Sequence, residues 1–390
     1  MAAQGGACHL GRRLGAVRDR FVAEGLDGLL ITHVPNVRYL TNFTGSAAAL
    51  LVGTSSCRLV TDGRYLTAIR TLLASPNGPP DTDIVPVERA YETTVSDLLA
   101  GIGWRRIGFE AAHTSVKTHR QWTDGLRRAS PSAGRFPELV PTERTVEQVR
   151  AVKDPGELAT LRRGGQMLST VAAEVQRTLA PGQSELEVAA TVDHTLRSGG
   201  FQRSAFDTIV ASGPNSALPH AQPGTRRLAV NDIVLLDFGG VHDGYCVDVS
   251  RVASIGPPGE DAKRLHAAVA EAQTAAIEAV RPGAWASDVD GAARRVLEER
   301  GLGEAFSHGT GHGLGLEIHE EPRVGRRDAD RDRAVAAGAD GPLAPGMVFT
   351  IEPGAYEPGV GGVRLEDDVV VTDDGCEMLT DVGRDLWVVS

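Results

Sequence analysis

The fold of the second half of the chain follows from IVLLDFGGVHDGYCVDVSR, residues 233–251. Two apolar runs flank an Asp-Gly dipeptide at 243–244, and Asp-Gly between such runs is a strong β-hairpin signal. A turn centred between residues 242 and 243 makes Asp237 and Asp248 equidistant from it. We therefore predict a hairpin on which these two carboxylates are directly opposed, with Cβ atoms about 5 Å apart.

A second pair of acidic residues follows near the end of the chain, in MVFTIEPG (347–354) and GGVRLEDDVVV (361–371). A turn centred on Gly359 places Glu352 opposite Glu366. Like charges in direct opposition destabilise a sheet unless something neutralises them. One pair could point to solvent, but two pairs between apolar runs favour bound cations. Four carboxylates and one imidazole suit a pair of divalent ions.

The candidate imidazole lies in FSHGTGHGLGLEIHEEP, residues 306–322, which holds His308, His312 and His319. Glycine at every second position from 309 to 315 lets the backbone approach a neighbour closely, so we predict a functional segment. The segment does not match G-x-G-x-x-G, and Arg323 stands where H-E-x-x-H requires its second histidine, so nucleotide-loop and zincin interpretations fail.

A further candidate, His220, lies in a loop rich in Pro, Ser and Asn. We interpret the remaining histidines, His33 and His113 among them, as surface or packing residues. The charged run RRDADRDR (326–333) and the Ala- and Gly-rich residues after it, to 341, are interpreted as a solvated, mobile surface loop.

Elsewhere the pattern predicts an α+β fold. Asp154 and Ser184 open capping boxes, which begin two helices. Helical periodicity also covers 261–280 and 287–300, and four strand-like runs interleave, so we expect helices on one mostly antiparallel sheet. Residues 10–145 read as mixed α/β, with a helix at 10–24 and short strands at 28–32, 47–52, 58–61 and 106–109.

Composition limits the class of protein. The 390 residues suggest two domains, and a net charge of −11 argues against nucleic-acid binding. No apolar run reaches the roughly 18 residues of a membrane span, and the first residues do not read as a signal peptide. The four scattered cysteines lack a C-x-x-C motif, which favours a reducing cytoplasm over a disulfide framework.

Together these motifs resemble the metallopeptidases of the pita-bread fold, and within them the Xaa-Pro peptidases aminopeptidase P and prolidase. NVRYLTNFTG (36–45) and LVTDGRY (59–65) resemble a creatinase-type N-terminal domain. The resemblance implies a creatinase-like α/β domain over residues 1–146. It also implies a pita-bread catalytic domain over 147–390, with helices packed on a curved, mostly antiparallel sheet.

The resemblance also implies two divalent metal ions, commonly Mn²⁺ or Co²⁺, with Zn²⁺ as a further alternative. Asp237 would hold one ion, His312 and Glu352 the other, and Asp248 and Glu366 both. His220 and His319 would contact the substrate and stabilise the tetrahedral intermediate. His308 would form a wall of the proline pocket, and Arg364 would support a bridging ligand.

The implied reaction is hydrolysis of the Xaa-Pro bond at the N-terminus of peptides or in dipeptides. A metal pair makes a bridging hydroxide available near neutral pH, and this attacks the scissile carbonyl. Glu352 would carry a proton to the proline nitrogen. Arg323 is either a ligand for the carboxylate of a dipeptide or a solvated arginine. The resemblance further implies a homodimer that acts on small peptides with proline in second position.

Two alternatives remain. A creatinase-like amidinohydrolase would share the fold without the metals, and a non-catalytic peptide-binding relative would have lost ligands. All five ligand types are intact in this sequence, so we rank both alternatives below the peptidase.

Overall fold

The computed structural model describes residues 6–129, 136–336 and 340–390. The chain divides into two compact units, Met1–Arg150 and Ala151–Ser390. The domain boundary that we expect at 146–147 stays a prediction. Among the described residues, no helix is both long and apolar enough to cross a membrane.

The N-terminal unit is built on one six-stranded sheet with the order β4-β3-β2-β1-β5-β6. β1 runs antiparallel to β2 and parallel to β5, which is in turn parallel to β6. The predicted helix and strands are confirmed, with ends shifted by a few residues. The elements are α1 (Gly6–Ala23), β1 (Gly28–Ile31), α2 (Val34–Thr41), β2 (Ala49–Gly53), β3 (Cys57–Thr61), α3 (Leu66–Leu73), β4 (Thr82–Pro86), α4 (Tyr91–Gly101), β5 (Arg106–Glu110), α5 (Val116–Ala129), β6 (Glu138–Thr142) and α6 (Glu147–Arg150).

The C-terminal unit alternates helices with short and long strands. Its elements are α7 (Pro155–Thr178), α8 (Glu185–Ser198), β7 (Arg203–Ser204), β8 (Ile209–Ser212), a 3₁₀ helix (Gly213–Ala217), β9 (Ile233–His242), β10 (Tyr245–Ile255), α9 (Glu260–Ala279), α10 (Ala286–Glu299), β11 (Gly311–Gly313), β12 (Glu320–Val324), α11 (Arg331–Ala336), β13 (Val348–Ile351), β14 (Gly354–Glu357), β15 (Gly361–Arg364), β16 (Asp367–Val371), β17 (Cys376–Met378) and β18 (Trp387–Val389). Both predicted capping boxes are present, at Asp154 and Ser184.

Within the described part of this unit the strands form three sheets, and not the one sheet that we predicted. Two are five-stranded, β18-β10-β9-β7 with β8 on β9, and β12-β11-β13-β16-β17, and the third is the pair β14-β15. All pairings are antiparallel except β10 with β18. The predicted strand at 363–371 is interrupted between Arg364 and Asp367, where a bridge from Ser250 to Glu366 joins the two larger sheets.

Strand β9 is buried on both faces. Leu236 and Phe238 pack into a core with residues of α7 and α8, whereas Ile233 and Leu235 pack into a core with residues of α9 and α10. Side chains alternate along a strand, so Asp237 shares the face of Leu235. The first candidate ligand therefore lies on the side of the α9–α10 core.

The register of the β9–β10 hairpin corrects one prediction. Asp237 faces Ser250 and Asp248 faces Gly239, so the two aspartates are diagonal neighbours and not directly opposed. The turn consists of Asp243 and Gly244, which both have positive φ, at 46° and 80°. Such a two-residue turn fixes the register one position beyond the predicted centre. The aspartates still share a face, because the offset between them is two residues.

The strands that flank the second acidic pair keep the predicted register. Ile351 pairs with Asp367 and Gly354 pairs with Arg364, and both pairs are centred on Gly359. Glu352 and Glu366 lie between these pairs, outside the strands, and Glu366 bridges to Ser250, so their direct opposition stays a prediction.

The charged segment differs in part from the predicted loop. Residues Arg331–Ala336 form helix α11, and Arg333 pairs with Asp328 at 2.8 Å. Residues 337–339, which belong to the same prediction, lie outside the described residues.

Candidate metal centre and substrate cavity

A cavity of about 690 Å³ opens in the C-terminal unit. Every predicted site residue lines it: His220, Asp237, Asp248, His308, His312, His319, Arg323, Glu352, Arg364 and Glu366. The sheets thus bring together side chains from six separate segments of sequence. The cavity wall also includes apolar residues, among them Phe206, Ile209 and Ile318.

The tightest ligand group in the cavity is formed by Asp248, His312 and Glu366, whose potential ligand atoms lie within 4.8 Å of one another. Glu352 borders this group, with Oε1 3.5 Å from Nε2 of His312. Asp248 lies on β10 and His312 on β11, whereas Glu352 directly follows β13.

The ring of His312 is oriented by the backbone. Its Nδ1 lies 3.2 Å from the carbonyl oxygen of Gly313, so donation from Nδ1 leaves the lone pair of Nε2 facing Glu352. Histidines that ligate metals commonly donate their other ring N–H to a carbonyl in this way. Burial, followed by the neighbouring His319, lowers the pKa of His312 to about 3. The imidazole is therefore neutral and able to accept a cation.

The carboxylates are held in an environment that opposes their charge. Burial, and then the neighbouring acids, raise the pKa of Asp248 and of Glu366 well above the usual range. Burial also raises the pKa of Glu352 to about 8, although Arg364 opposes that shift. Divalent cations reverse such shifts because they favour the ionised form.

One buried acceptor of the cavity points to a missing partner. Among the described residues, Oδ1 of Asp237 accepts no hydrogen bond. Buried carboxylate oxygens ordinarily have partners. An oxygen-rich donor set with one neutral imidazole suits divalent Mn²⁺, Co²⁺ or Zn²⁺. The residues present therefore fit a divalent metal centre.

Arg364 connects Asp237 with Glu366, the first directly and the second through Ser250. It is only 2% exposed, its Nη2 donates to Oδ2 of Asp237, and its Nε donates to Oγ of Ser250 at 3.0 Å. Ser250 in turn donates to Oε2 of Glu366 at 2.7 Å. Burial alone would lower the pKa of Arg364, but Tyr356 and the surrounding acids raise it. One guanidinium thus holds two of the predicted ligands.

The remaining histidines form the cavity wall. Nδ1 of His308 lies 2.7 Å from the carbonyl oxygen of Gly309, which leaves Nε2 to accept the hydroxyl of Tyr356 at 2.9 Å. Burial lowers the pKa of His308 to about 4, so its ring is a neutral surface. His220 and His319 are exposed, and burial followed by His220 lowers the pKa of His319.

Comparison with known proteins decides the family. Residues 159–373 match the model of metallopeptidase family M24, and residues 13–152 match the creatinase/prolidase N-terminal domain. This chain belongs to metallopeptidase family M24. The resemblance found in the sequence is thereby confirmed.

Relatives of this M24 chain extend over nearly its whole length. An uncharacterised peptidase, YqhT, of Bacillus subtilis is 33% identical and covers 97% of the chain and 100% of its own length. An Xaa-Pro dipeptidase of Pyrococcus horikoshii is 31% identical over 93% of this chain and 95% of its own. The solved structure of the Xaa-Pro dipeptidase from Bacillus anthracis matches with a TM-score of 0.87 at 31% identity. The match covers 97% of this chain and 100% of that one.

The alternating glycines of the M24 unit serve the neighbouring strands. A Cβ on Gly311 would lie 1.9 Å from the carbonyl oxygen of Thr350, and one on Gly313 would lie 2.2 Å from that of Glu321. The close approach predicted from the sequence is therefore one between β11 and the strands on either side. It places His312 on a strand that packs closely against both neighbouring backbones, so neither flanking glycine can be replaced without a shift of the chain.

Sequence reasoning missed three residues of this M24 site. Ser250 and Tyr356 bind Arg364, and Asp368 accepts the backbone N–H of Asp248 through Oδ2 at 2.9 Å. Ser250 and Asp368 each follow a predicted ligand by two positions, which on a strand means the same face. That spacing was the available signal for both. The sequence held no comparable signal for Tyr356.

Proposed function

We propose that this M24 chain hydrolyses Xaa-Pro bonds, at the N-terminus of peptides or in dipeptides. The observation that carries the proposal is the buried group of Asp248, His312 and Glu366 within a cavity that fits a small peptide. Relatives named Xaa-Pro dipeptidase, similar over almost the full length, support the same substrate class.

We assign two divalent ions to the site, with Mn²⁺ as the native ion and Co²⁺ and Zn²⁺ as alternatives. Asp237 would hold one ion, and His312 and Glu352 the other. Asp248 and Glu366 would contact both. A metal pair of this kind supplies an activated water and polarises the carbonyl that it attacks.

The chain itself supplies positioning and proton transfer. Glu352, at the edge of the ligand group, would move the proton to the proline nitrogen as the bond breaks. His220 and His319 face the cavity and would donate hydrogen bonds to the tetrahedral oxyanion. The neutral ring of His308 offers an apolar wall to the proline ring, and a tertiary amide needs no acceptor for an N–H.

Arg323 bears on the length of the substrate. It lines the cavity, is exposed and lies opposite His312 in the β11–β12 register. We propose that its guanidinium binds the C-terminal carboxylate of a dipeptide. Arg323→Ala should then slow the hydrolysis of Ala-Pro more than that of a longer Ala-Pro peptide. Equal effects on both substrates would remove this role.

The primary test is hydrolysis of Xaa-Pro peptides with Mn²⁺, with and without EDTA, by wild type and Asp248→Asn. Metal-dependent release of the first residue, lost in the variant, is the expected result. No cleavage under several metals would overturn the proposal. Turnover of creatine unaffected by chelation would then support the amidinohydrolase, and retention of two metals without activity would support a binding protein.

We also propose that the active species is a homodimer in the cytoplasm. The support for both statements is the family resemblance together with the scattered cysteines. Light scattering after gel filtration should give twice the chain mass. A monomer with full activity would contradict the dimer.

A further inference from the structure

A second group of ligand-type side chains lies in the N-terminal unit and shares no residue with the peptidase cavity. Strands β1, β5 and β6 are adjacent and parallel. His33 follows the end of β1, His113 the end of β5, and Glu147 begins the helix after β6. The carboxyl ends of adjacent parallel strands are where open α/β sheets commonly bind ligands.

The three side chains meet at this edge of the sheet. The rings of His33 and His113 are stacked with centroids 3.6 Å apart and planes within 4° of parallel. Nε2 of His113 lies 3.4 Å from Oε1 of Glu147. One potential ligand atom from each of the three lies within 4.8 Å of the other two.

A buried network holds two of the three in place. Glu110, 6% exposed, accepts the backbone N–H of His33 at 2.8 Å and Nδ2 of Asn36 at 2.7 Å. The same Asn36 nitrogen donates to Oε1 of Glu147 at 2.5 Å, and Arg150 donates to the Asn36 oxygen at 2.7 Å. Metal sites characteristically orient their ligands through such an outer layer of hydrogen bonds.

The third side chain, that of His113, is partly exposed to solvent. His113 is 31% exposed in its side chain, so its ring can turn without disturbing a core. Zinc–nitrogen bonds are about 2.0–2.1 Å long, so the ligand atoms of a tetrahedral ion lie about 3.4 Å apart. Nε2 of His113 and Oε1 of Glu147 already have this separation, at 3.4 Å. We expect the exposed His113 ring to make the remaining adjustment on binding.

We propose that His33, His113 and Glu147 bind one Zn²⁺-type ion, with its fourth position open to water. Two imidazoles and one carboxylate form a donor set suited to Zn²⁺ and related transition ions, and unsuited to Mg²⁺ or Ca²⁺, which prefer oxygen ligands. The ion would join the segments that follow three neighbouring strands. It would therefore stabilise the N-terminal unit by an amount that grows with the logarithm of the free zinc concentration above the dissociation constant.

The test counts zinc on the full-length protein after dialysis against a zinc buffer. Zinc is measured by mass spectrometry in wild type, in His113→Ala, and in a control, His194→Ala, which removes an exposed histidine on α8 hydrogen-bonded to Ser198. We expect His113→Ala to carry one zinc fewer per chain and to keep its peptidase activity with Mn²⁺. The control should carry the wild-type amount.

Two further measurements keep the outcome decisive. Glu147→Gln, which retains an acceptor for Asn36, should also lose one zinc. Asp248→Asn, altered in the peptidase cavity, should retain the visible Co²⁺ spectrum of a tetrahedral site. Adding His113→Ala to this variant should abolish that spectrum. Equal zinc counts in wild type, His113→Ala and Glu147→Gln would overturn the proposal. The group would then be a histidine–carboxylate ion pair on a stacked ring.

Discussion

Arg364 donates from Nη2 to Oδ2 of Asp237, and this buried pair connects β15 to β9 across the floor of the cavity. The same guanidinium donates to Ser250, Tyr356 and the carbonyl of Pro219. One side chain of β15 thus links β9, β10 and β14 at the candidate metal centre.

Replacement of Arg364 by methionine should destabilise the metal-free protein by about 3–5 kcal/mol, because Asp237 would remain buried without its cation. Urea unfolding in EDTA measures this difference. Arg364→Lys is the matched control, since it keeps the charge and loses the planar fork. Its loss should be smaller. Equal stability of Arg364→Met and wild type would show that the pair contributes nothing.

Ser250→Ala should weaken metal binding by about 10–100-fold, because the hydroxyl orients Glu366 and links it to Arg364. Competition with a chelator measures the dissociation constant. Ser254→Ala is the control: this serine is buried on the same strand and bonds Gly256 instead. If both variants bind metal alike, the hydroxyl of Ser250 does not support the centre.

The stability of the metal-free protein should fall as pH rises from about 5 to 8 and level off above that range. Burial raises the pKa of Glu352 from 4.5 to about 8, so the folded state binds the proton more tightly than the unfolded chain. Between these two pKa values the folded carboxyl keeps a proton that the unfolded one has lost, so stability falls by at most about 1.4 kcal/mol per pH unit. Urea unfolding in EDTA at several pH values measures the slope.

Glu352→Gln isolates this effect, because the amide cannot titrate. The difference in unfolding free energy between wild type and the variant should change over the same pH range. Mn²⁺ should abolish the change by stabilising the ionised carboxylates. A difference that is constant from about pH 5 to 8 would contradict a raised pKa at Glu352.

Glu185 should support the loop that carries His220. It is fully buried and accepts the N–H of Ser212 at 2.8 Å and that of Gly224 at 3.0 Å, on either side of that loop. Glu185→Ala should cost about 1–3 kcal/mol for the donors left without a partner. It should also lower kcat/KM, because His220 loses its fixed position. Denaturation and steady-state kinetics measure the two effects.

Glu187→Ala serves as the control for Glu185, since it lies on the same helix but caps the N-terminus at Ser184. It should cost stability without a matching loss of kcat/KM. If Glu185→Ala is destabilised yet fully active, the loop does not depend on this clamp.

The sequence predicted the parts of the site that depend on local pattern. The observed register differs from the predicted one by two residues, so Asp237 and Asp248 still share a face and that prediction survived the error in the turn. The observed register follows from positive φ at both Asp243 and Gly244, so a turn centred on the Asp-Gly pair itself would have predicted it. Arg364 was carried over from the family, but its partner Tyr356 is brought close only by the fold.

Two adjacent acidic residues also show that the sequence alone does not predict the partner of a side chain. Asp367 and Asp368 look equivalent in LEDD, yet Asp367 pairs with the buried Arg251 at 2.7 Å, whereas Asp368 supports Asp248. Strand alternation separates their directions, but only the packed partners decide what each carboxylate does. A partner more than a hundred positions away in sequence leaves no local pattern.

The hydrogen bond from Arg364 to the carbonyl oxygen of Pro219 determines how the loop before His220 can be redesigned. The loop before His220 is anchored to the metal centre by its backbone, so its side chains and its anchor can be changed separately. Leu218, exposed next to this anchor, is therefore a position that can be changed without altering the anchor. A grafted loop of different length would have to present a carbonyl at the same point, or Arg364 would lose one of the acceptors that hold it beside Asp237.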